Sequence, residues 1–339
     1  GRRHRPAQEE DAASPRDAGA AQSSPDPGGQ AEGSEAELGS RGAINGTRHA
    51  ETYRHAHTQN QRDPHPDAET HAKTHPETDA LPNPEEKETM SIGLKKAKEL
   101  DSVILLETDP DADRVGIGVK NNTGEWVLLN GNQTALLIFN YIIEARKNNG
   151  MASPVDMVIK TIVTTDLIDV IAKEKNISCY NVLTGFKWIA AMIKDKEGKE
   201  NYVVGGEESF GLMIGDKVRD KDAVSAVAMI CEMAAVEKNN WQTLFNKLIE
   251  LYVTYGFYKE NLISITKKGM NGSKEIADMM QGYRNNPPKD IDGSPVLELY
   301  DYESKEMKNL KTGSITKIDL PKSNVLQFIT EVCCKISSR

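Results

Sequence analysis

Histidine is missing from most of this chain of 339 residues, and its absence limits the chemistry that the chain can perform. Residues 81–339 contain no histidine, which excludes Ser-His-Asp and Cys-His catalysis and zinc ligation through imidazole from that part. We therefore expect any metal bound there to have oxygen ligands. The seven histidines all lie within the first 80 residues: His4, His49, His55, His57, His65, His71 and His75. Their irregular spacing favours a solvated tail over a transition-metal site.

The first 80 residues are also nearly free of large apolar side chains. They contain no Val, Phe, Trp, Met or Cys, and their only large apolar residues are Leu38, Ile44 and Tyr53. Such a segment cannot bury enough apolar surface to offset the conformational entropy lost on folding. We therefore expect residues 1–82 to form a disordered head that is unrelated to the rest of the chain.

Charge and cysteine content exclude further classes of protein. The net charge is −9, and no dense run of Lys or Arg is present, which argues against a nucleic-acid or membrane-surface partner. The four cysteines have no C-x-x-C spacing, which favours a reducing compartment over a disulfide scaffold. No apolar run is long enough to span a bilayer. We expect a cytoplasmic chain with small-molecule partners, and its oligomeric state stays open.

Hydrophobic periodicity predicts alternating helices and strands from residue 85 onward. Helical patterns occur at 85–100, 134–147, 165–175, 186–194, 222–237, 242–255 and 273–283. Strand patterns occur at 103–106, 115–119, 155–163, 179–183, 202–204, 262–266, 296–300, 314–318 and 325–329. The order predicts an α/β fold whose mixed, mostly parallel sheets are flanked by helices. The strand-rich end predicts a C-terminal α+β domain that begins after residue 255.

Three aspartates occupy alternate positions in the loop after the strand at 103–106. Asp109, Asp111 and Asp113 can converge on a hard cation, Pro110 stiffens the turn, and Arg114 adds a positive charge. Without a cation, three adjacent carboxylates would repel one another. An EF-hand is excluded because Arg114 stands where its sixth position needs glycine. The loop predicts a metal site, and the alternative is a solvated acidic turn.

A second loop, Gly-Gly-Glu-Glu-Ser-Phe-Gly at 205–211, follows another apolar strand. Glycine lets the backbone approach a ligand closely, and two carboxylates and a hydroxyl suit a polyol. The loop therefore predicts a sugar site, with a plain glycine-rich turn as the alternative. Ser209 is not a G-x-S-x-G nucleophile, because the spacing differs and no histidine is at hand to activate it.

A third loop, Leu-Thr-Gly-Phe-Lys-Trp-Ile at 183–189, places Lys187 just after a glycine turn at the start of a helix. The helix N-terminus and the lysine together can hold a phosphate, or the lysine can act on a hydroxyl proton. Phe186 and Trp188 are predicted to belong to the core rather than to a ligand site.

Taken in this order, the loops at 108–114, 184–187 and 206–211 resemble those of the α-D-phosphohexomutase superfamily, above all the bacterial-type phosphoglucomutases and phosphomannomutases. The resemblance runs from about residue 83 to the end. It implies that 83–130 is the C-terminal part of domain two, 131–250 is domain three, and 256–339 is a partial domain four. It also implies a reversible interconversion of hexose 1-phosphate and hexose 6-phosphate through a phosphoserine and a bisphosphorylated sugar.

The same resemblance implies roles for individual residues. Asp109, Asp111 and Asp113 would hold Mg²⁺, and Arg114 would contact the transferred phosphate. Lys187 matches a position of the general base, and glucose 1,6-bisphosphate would serve as activator and intermediate. The implied substrate-binding residues are Thr184, Gly185, Gly206, Glu207 and Ser209.

Two family motifs are missing from the sequence. The serine loop Thr-Ala-Ser-His-Asn-Pro is not found, and neither is the phosphate loop Arg-Pro-Ser-Gly-Thr-Glu-Pro, before which the sequence ends at Arg339. The expectation is a fragment that is catalytically incomplete by itself. Two alternatives stay open: a non-catalytic fragment that binds Mg²⁺ and sugar phosphate, and a HAD-type phosphatase, since 111–115 fits D-x-D-x-[TV]. The preference among glucose, mannose and pentose also stays open.

Overall fold

The computed structural model describes residues 89–263, 265, 267, 271–332 and 334–338, all within one compact unit that spans Glu69–Arg339. The disordered head predicted at 1–82 lies outside the described residues. Within the described part, helices and strands alternate as the hydrophobic pattern predicts, and the α/β fold is confirmed.

Seven helices form in the described residues, each overlapping a predicted helical segment. They are α1 Ser91–Glu99, α2 Gly131–Asn148, α3 Leu167–Glu174, α4 Phe186–Lys196, α5 Ala223–Asn239, α6 Leu244–Tyr255 and α7 Gly272–Asn285. Helix α2 begins with a capping box, in which the side chains of Asn130 and Gln133 each accept a hydrogen bond from the other's backbone N–H. At the start of α3, Asp166 makes no side-chain capping bond, and the hydroxyl oxygen of Thr165 accepts a hydrogen bond from the N–H of Leu167 at 3.4 Å.

The first sheet has three antiparallel strands in the order β1-β2-β3: β1 Ile104–Thr108, β2 Val115–Lys120 and β3 Trp126–Leu129. Its strands are all antiparallel, whereas the chain as a whole was expected to have mostly parallel sheets. The sequence pattern missed β3. The sequence feature that indicates this strand is the turn at 121–124 before it. Oδ1 of Asn121 accepts hydrogen bonds there from the backbone N–H groups of Thr123 and Glu125.

The second sheet has four strands in the order β5-β4-β6-β7: β4 Asp156–Thr161, β5 Ser178–Val182, β6 Asn201–Gly206 and β7 Leu212–Ile214. Strand β4 is parallel to β5 and β6, and β7 is antiparallel to β6. Successive side chains of β4 point to opposite faces of the sheet, and each face packs against different helices. Val158 packs with helices α2, α3, α5 and α6, while Met157 and Ile159 face α4. The loops after β4, β5 and β6 therefore follow strand ends at one edge of the sheet.

The C-terminal sheet is antiparallel, with the order β11-β10-β9-β12-β13 and β8 paired to β9. Its strands are β8 Asp290–Ile291, β9 Ser294–Asp301, β10 Glu306–Asn309, β11 Ile315–Lys317, β12 Leu326–Thr330 and β13 Lys335–Ser338. Met280 of α7 packs on Leu299, Leu326 and Phe328, which confirms an α+β arrangement.

One predicted strand of this region is wrong. Of the stretch 262–266, the described residues Leu262, Ile263 and Ile265 lie outside any strand and are exposed. An apolar run forms a strand only where a neighbouring strand takes up its hydrogen bonds, and these residues have no such partner among the described strands. Among the described helices, none combines the length and apolar composition needed to cross a bilayer.

Candidate functional site

The acidic loop between β1 and β2 gathers its three aspartates. Asp109, Asp111 and Asp113 each offer a carboxylate oxygen within 4.8 Å of the other two. Oδ1 of Asp109 accepts hydrogen bonds from the backbone N–H groups of Asp113, at 3.0 Å, and Arg114, at 2.9 Å. Ala112 has a φ of +55°, a left-handed conformation that costs about 1–2 kcal/mol in a non-glycine residue. The backbone is thus bent tightly enough to bring alternate side chains together.

The charges of this loop are only partly compensated by the protein. Burial raises the pKa of Asp109, and the neighbouring Asp113 raises it further, against the backbone N–H groups that lower it. The guanidinium Nε of Arg114 lies 3.8 Å from Asp109 and 3.6 Å from Asp113. Lys221 is a second cation, with its Nζ 2.8 Å from Asp113. Two cations against three carboxylates leave a net negative site that favours a further cation.

The three carboxylates fit Mg²⁺ by number and chemistry. Magnesium binds hard oxygen ligands at about 2.1 Å in an octahedron, which puts two of its ligands at most about 4.2 Å apart. The separation of up to 4.8 Å is within reach of a small rotation of the side chains. Asp111 is exposed, so solvent and a phosphate group can approach the same position.

The acidic loop is joined to the sugar loop at 205–211 by backbone hydrogen bonds. The N–H of Val115 donates to the carbonyl of Phe210 at 3.2 Å, and Arg114 and Gly211 form an antiparallel bridge. Phe210 has a φ of +66°, and Gly206 is packed so closely that an added Cβ would lie 2.7 Å from Leu212. These constraints fix the sugar loop directly beside the aspartates.

The sugar loop is also joined to the loop that precedes α4. The carboxylate of Glu207 is buried, and its Oε1 accepts a 2.6 Å hydrogen bond from the backbone N–H of Gly185. Gly185 has a φ of +111°, which favours glycine, and this conformation turns its N–H toward the sugar loop. Thr184 precedes it and is half-buried, as is Ser209. The structure thus brings the three predicted loops together.

Lys187 lies at the second position of α4 and is exposed. Its Nζ stands 5.1 Å from the ring centre of Trp188, a cation–π contact. Phe186 is buried and packs with Ile159 and Ile189, as predicted for a core residue.

Lys221 was missed by sequence reasoning, although it contacts all three loops. Its Nζ lies 2.8 Å from a carboxylate oxygen of Asp113 and 5.5 Å from the ring centre of Phe186. Its aliphatic chain covers Gly211, where an added Cβ would lie 2.4 Å from it. Burial lowers the pKa of Lys221, but its contacts with Asp113 and Asp220 together outweigh this and leave the pKa raised. No periodic pattern or motif distinguished this lysine from the charged residues around it.

Residues 130–252 match the family model of the phosphoglucomutase/phosphomannomutase alpha/beta/alpha domain III, and the chain resembles the α-D-phosphohexomutase superfamily. A phosphoglucomutase of Staphylococcus aureus (strain MRSA252) is 35% identical over 247 residues, which cover 73% of this chain and 44% of the relative. The chain therefore spans less than half the length of the curated relatives that it matches.

Two solved structures are similar to part of the chain. The parafusin phosphoglucomutase of Paramecium, in its open form, is 18% identical over 70% of this chain and 38% of its own, with a TM-score of 0.45. A phosphoglucomutase/phosphomannomutase family protein of Burkholderia thailandensis is 18% identical over 63% of this chain and 39% of its own, with a TM-score of 0.41. The resemblance to the superfamily rests on the sequence matches.

Proposed function

We propose that this chain carries the metal-binding and sugar-binding loops of a phosphohexomutase that interconverts hexose 1-phosphate and hexose 6-phosphate. The reaction would run through a phosphoserine and a bisphosphorylated sugar. The proposal rests on one observation: hydrogen bonds join the three separate loops to one another. The N–H of Gly185 binds Glu207, and Arg114 pairs with Gly211. A metal, a phosphate and a sugar could each be held by one of them.

Asp109, Asp111 and Asp113 would hold Mg²⁺, which supplies charge neutralisation for a phosphoryl group when bound. Arg114 would contact the same phosphate, since its guanidinium already faces two of the three carboxylates. The support for this assignment is the spacing of the three carboxylates and the incomplete compensation of their charge.

Glu207 and Ser209 would bind sugar hydroxyls, and Gly206 would let the backbone approach the ring. Orientation of the Glu207 carboxylate by Gly185 supports this role, because a fixed acceptor selects hydroxyl positions better than a freely rotating one. Thr184 stands next to Gly185 and would contribute its hydroxyl to the same site.

Lys187 would transfer the hydroxyl proton, and its exposure at the start of α4 supports that assignment. Lys221 contacts Asp113 and is a second candidate for the same step. Separate Lys187→Met and Lys221→Met variants distinguish them, because loss of the proton-transfer group lowers kcat far more than it weakens sugar-phosphate binding.

Binding is the first test of the proposal. Titration calorimetry with Mg²⁺ and with glucose 6-phosphate should give saturable binding to the wild-type chain. Asp111→Asn should weaken Mg²⁺ binding at least tenfold, whereas Asp195→Asn, an exposed aspartate on α4, should leave it unchanged. Absence of both Mg²⁺ and sugar-phosphate binding in folded protein would overturn the proposal. Parallel titrations with mannose and pentose phosphates would rank the sugars.

Turnover is the second test. The chain is assayed with Mg²⁺, glucose 1-phosphate and catalytic glucose 1,6-bisphosphate, and formation of glucose 6-phosphate is measured beside an Asp111→Ala variant. Turnover that the variant abolishes would assign the mutase reaction to this polypeptide. Binding without turnover would restrict the proposal to a non-catalytic module that binds Mg²⁺ and sugar phosphate.

A HAD-type phosphatase explains fewer of the observations. Strand β1 ends at Thr108, so Asp109 and Pro110 stand between the strand and Asp111, where that class has apolar strand residues. The alternative also leaves the sugar loop without a role. It would be favoured by phosphate release from p-nitrophenyl phosphate that Asp111→Asn abolishes.

A further inference from the structure

The turn at 162–166, between β4 and α3, lies between the sugar loop and the C-terminal sheet. On the sugar-loop side, two hydroxyls donate hydrogen bonds to Oε2 of Glu208, from Thr161 at 2.9 Å and from Thr164 at 3.1 Å. The two hydroxyl oxygens lie 2.9 Å apart. Both threonines are fully buried, so the carboxylate of Glu208 is held by groups that cannot exchange it for water.

On the other side, the same turn is held by the C-terminal sheet. The carbonyl oxygen of Ile162 accepts hydrogen bonds from Nε2 of Gln327, at 2.9 Å, and from Nζ of Lys335, at 3.1 Å. Lys335 also forms an ion pair with Asp166. Gln327 is fixed in turn by Tyr302, whose hydroxyl donates to Oε1 of Gln327 at 2.6 Å. The strands β12 and β13 therefore contact both ends of the turn.

A second lysine, Lys160, also contacts the turn. Nζ of Lys160 is fully buried, lies 3.5 Å from Asp166 and 2.9 Å from Asp169, and donates to the carbonyl of Thr164 at 3.2 Å. Two lysines thus share Asp166, and Asp169 and Glu260 are the other carboxylates that face this group. Removal of Lys335 leaves Lys160 as an ion-pair partner of Asp166, whose side chain is partly exposed. A variant at 335 therefore perturbs the contact with the C-terminal sheet without leaving Asp166 unpaired.

We infer that Lys335 is a positioning residue: through Ile162 and Asp166 it fixes the turn at 162–166, and through Thr164 and Glu208 the turn fixes the sugar loop. The C-terminal sheet and the sugar loop are then coupled through these contacts, and loss of the Lys335 contacts loosens the sugar loop. Hydrogen bonds and an ion pair join the sheet to the turn and the turn to the sugar loop, and the backbone of the turn connects the two ends. The consequence for sugar-phosphate affinity rests on the proposed function, whereas the coupling itself does not.

Hydrogen exchange of the ligand-free protein tests the coupling directly. Lys335→Met should speed exchange of the backbone amides at 162–166 and of the Glu207 N–H, which bonds the carbonyl of Gly211, by about tenfold. Amides inside α2, at 136–143, should keep their exchange rates. Lys335→Arg should restore most of the protection, because a guanidinium can bind both the carbonyl and the carboxylate.

The matched control is Arg284→Met. Arg284 bonds Asp301, Glu303 and Asn324, all within the C-terminal domain, and its removal loosens that domain without touching the turn. If Lys335→Met changes exchange at 206–211 no more than Arg284→Met does, the inference is wrong. Gln327→Leu removes the second bond to Ile162 and should give the Lys335→Met pattern at smaller amplitude; an unchanged sugar loop in that variant would count against the coupling as well.

Binding separates this inference from the proposed function. Lys335→Met should weaken glucose 6-phosphate binding about tenfold, and Lys335→Arg should recover most of the affinity. If the wild-type chain binds no sugar phosphate, the proposed function fails, and the exchange data still decide the coupling. Exchange changes without a change in affinity would overturn the role of Lys335 in positioning the sugar site.

Discussion

The backbone N–H of Gly185 and the carboxylate of Glu207 are joined by a hydrogen bond of 2.6 Å. The bond connects the loop before α4 with the sugar loop, and each loop follows a different strand of the parallel sheet. A hydrogen bond to a charged acceptor stabilises by about 1.5–3 kcal/mol, roughly twice as much as one between neutral groups. Glu207 is therefore a structural clamp as well as the proposed acceptor for a sugar hydroxyl.

Glu207→Ala should lower the free energy of unfolding by about 2 kcal/mol, because it leaves the N–H of Gly185 without this acceptor. Glu207→Gln should cost less, since its amide oxygen can still accept the bond. Urea denaturation measures both. Glu250→Gln, which removes an exposed ion pair with Lys247, should change the stability by less than about 0.5 kcal/mol. Equal effects of Glu207→Ala and Glu250→Gln would contradict the clamp.

Gly131 begins α2 directly beneath the sugar loop, where an added Cβ would lie 1.8 Å from the carbonyl oxygen of Glu208. Gly131→Ala should therefore displace the loop, destabilise the protein by about 1–3 kcal/mol and weaken sugar-phosphate binding. Gly282, inside α7, has no atom within 4 Å of the same position. Gly282→Ala should stabilise by about 0.5–1 kcal/mol through the better helix propensity of alanine. Thermal unfolding and calorimetry distinguish the two, and a stabilising Gly131→Ala would show that the loop is not packed against α2.

Lys221→Met should tighten Mg²⁺ binding. The variant removes a positive charge 2.8 Å from Asp113, so the acidic loop becomes more negative and attracts the cation more strongly. At the effective dielectric of a partly exposed site we expect roughly a fivefold gain in affinity. Lys217→Met, at an exposed position, serves as the control in the same calorimetric titration. Unchanged or weaker Mg²⁺ binding in Lys221→Met would place the ion away from Asp113.

Glu237→Gln should stabilise the protein at neutral pH. Burial raises the pKa of Glu237 above its ordinary value of 4.5; Lys247 lowers it in part and Glu250 raises it further. The folded protein therefore holds this proton more tightly than the unfolded chain, and stability is lost as the pH rises from 4.5 through the folded pKa. The uncharged glutamine avoids that loss.

Melting temperatures of the wild-type chain and Glu237→Gln are compared from pH 4 to pH 8. The advantage of the variant should vanish near pH 4 and grow toward neutral pH. A difference that stays constant over this range would trace the effect to packing rather than to the charge.

Local patterns predicted much of the fold. The alternation of helices and strands at 155–204 indicated the parallel strands β4, β5 and β6, and the glycine turn before residue 186 indicated the start of α4. Strand β7 and the edge strand β13 were missed, because three or four residues carry too little periodicity. The strand predicted at 262–266 was wrong, because an apolar run at that point has no neighbouring strand to pair with among the described residues.

The sequence likewise predicted some residues of the candidate site and missed others. Some of the site's features are local: three aspartates at alternate positions and a pair of glutamates flanked by glycines. The sequence alone shows which ligands their oxygen atoms can bind. Lys221, Lys160 and Lys335 carried no such signal. Each is one lysine among many. Lys221 and Lys335 also have partners far away in the sequence; Lys335 and Asp166 are 169 positions apart.

By itself, the sequence determined the order of helices and strands, the identity of the three loops and the absence of histidine chemistry after residue 80. It did so because burial periodicity, turn conformation and side-chain chemistry are properties of short segments. The tertiary structure alone decided that Gly185 binds Glu207, that Lys221 reaches Asp113 and that the C-terminal sheet holds the turn beside the sugar loop. Those contacts depend on how strands and helices pack, and packing brings together residues that no local pattern connects.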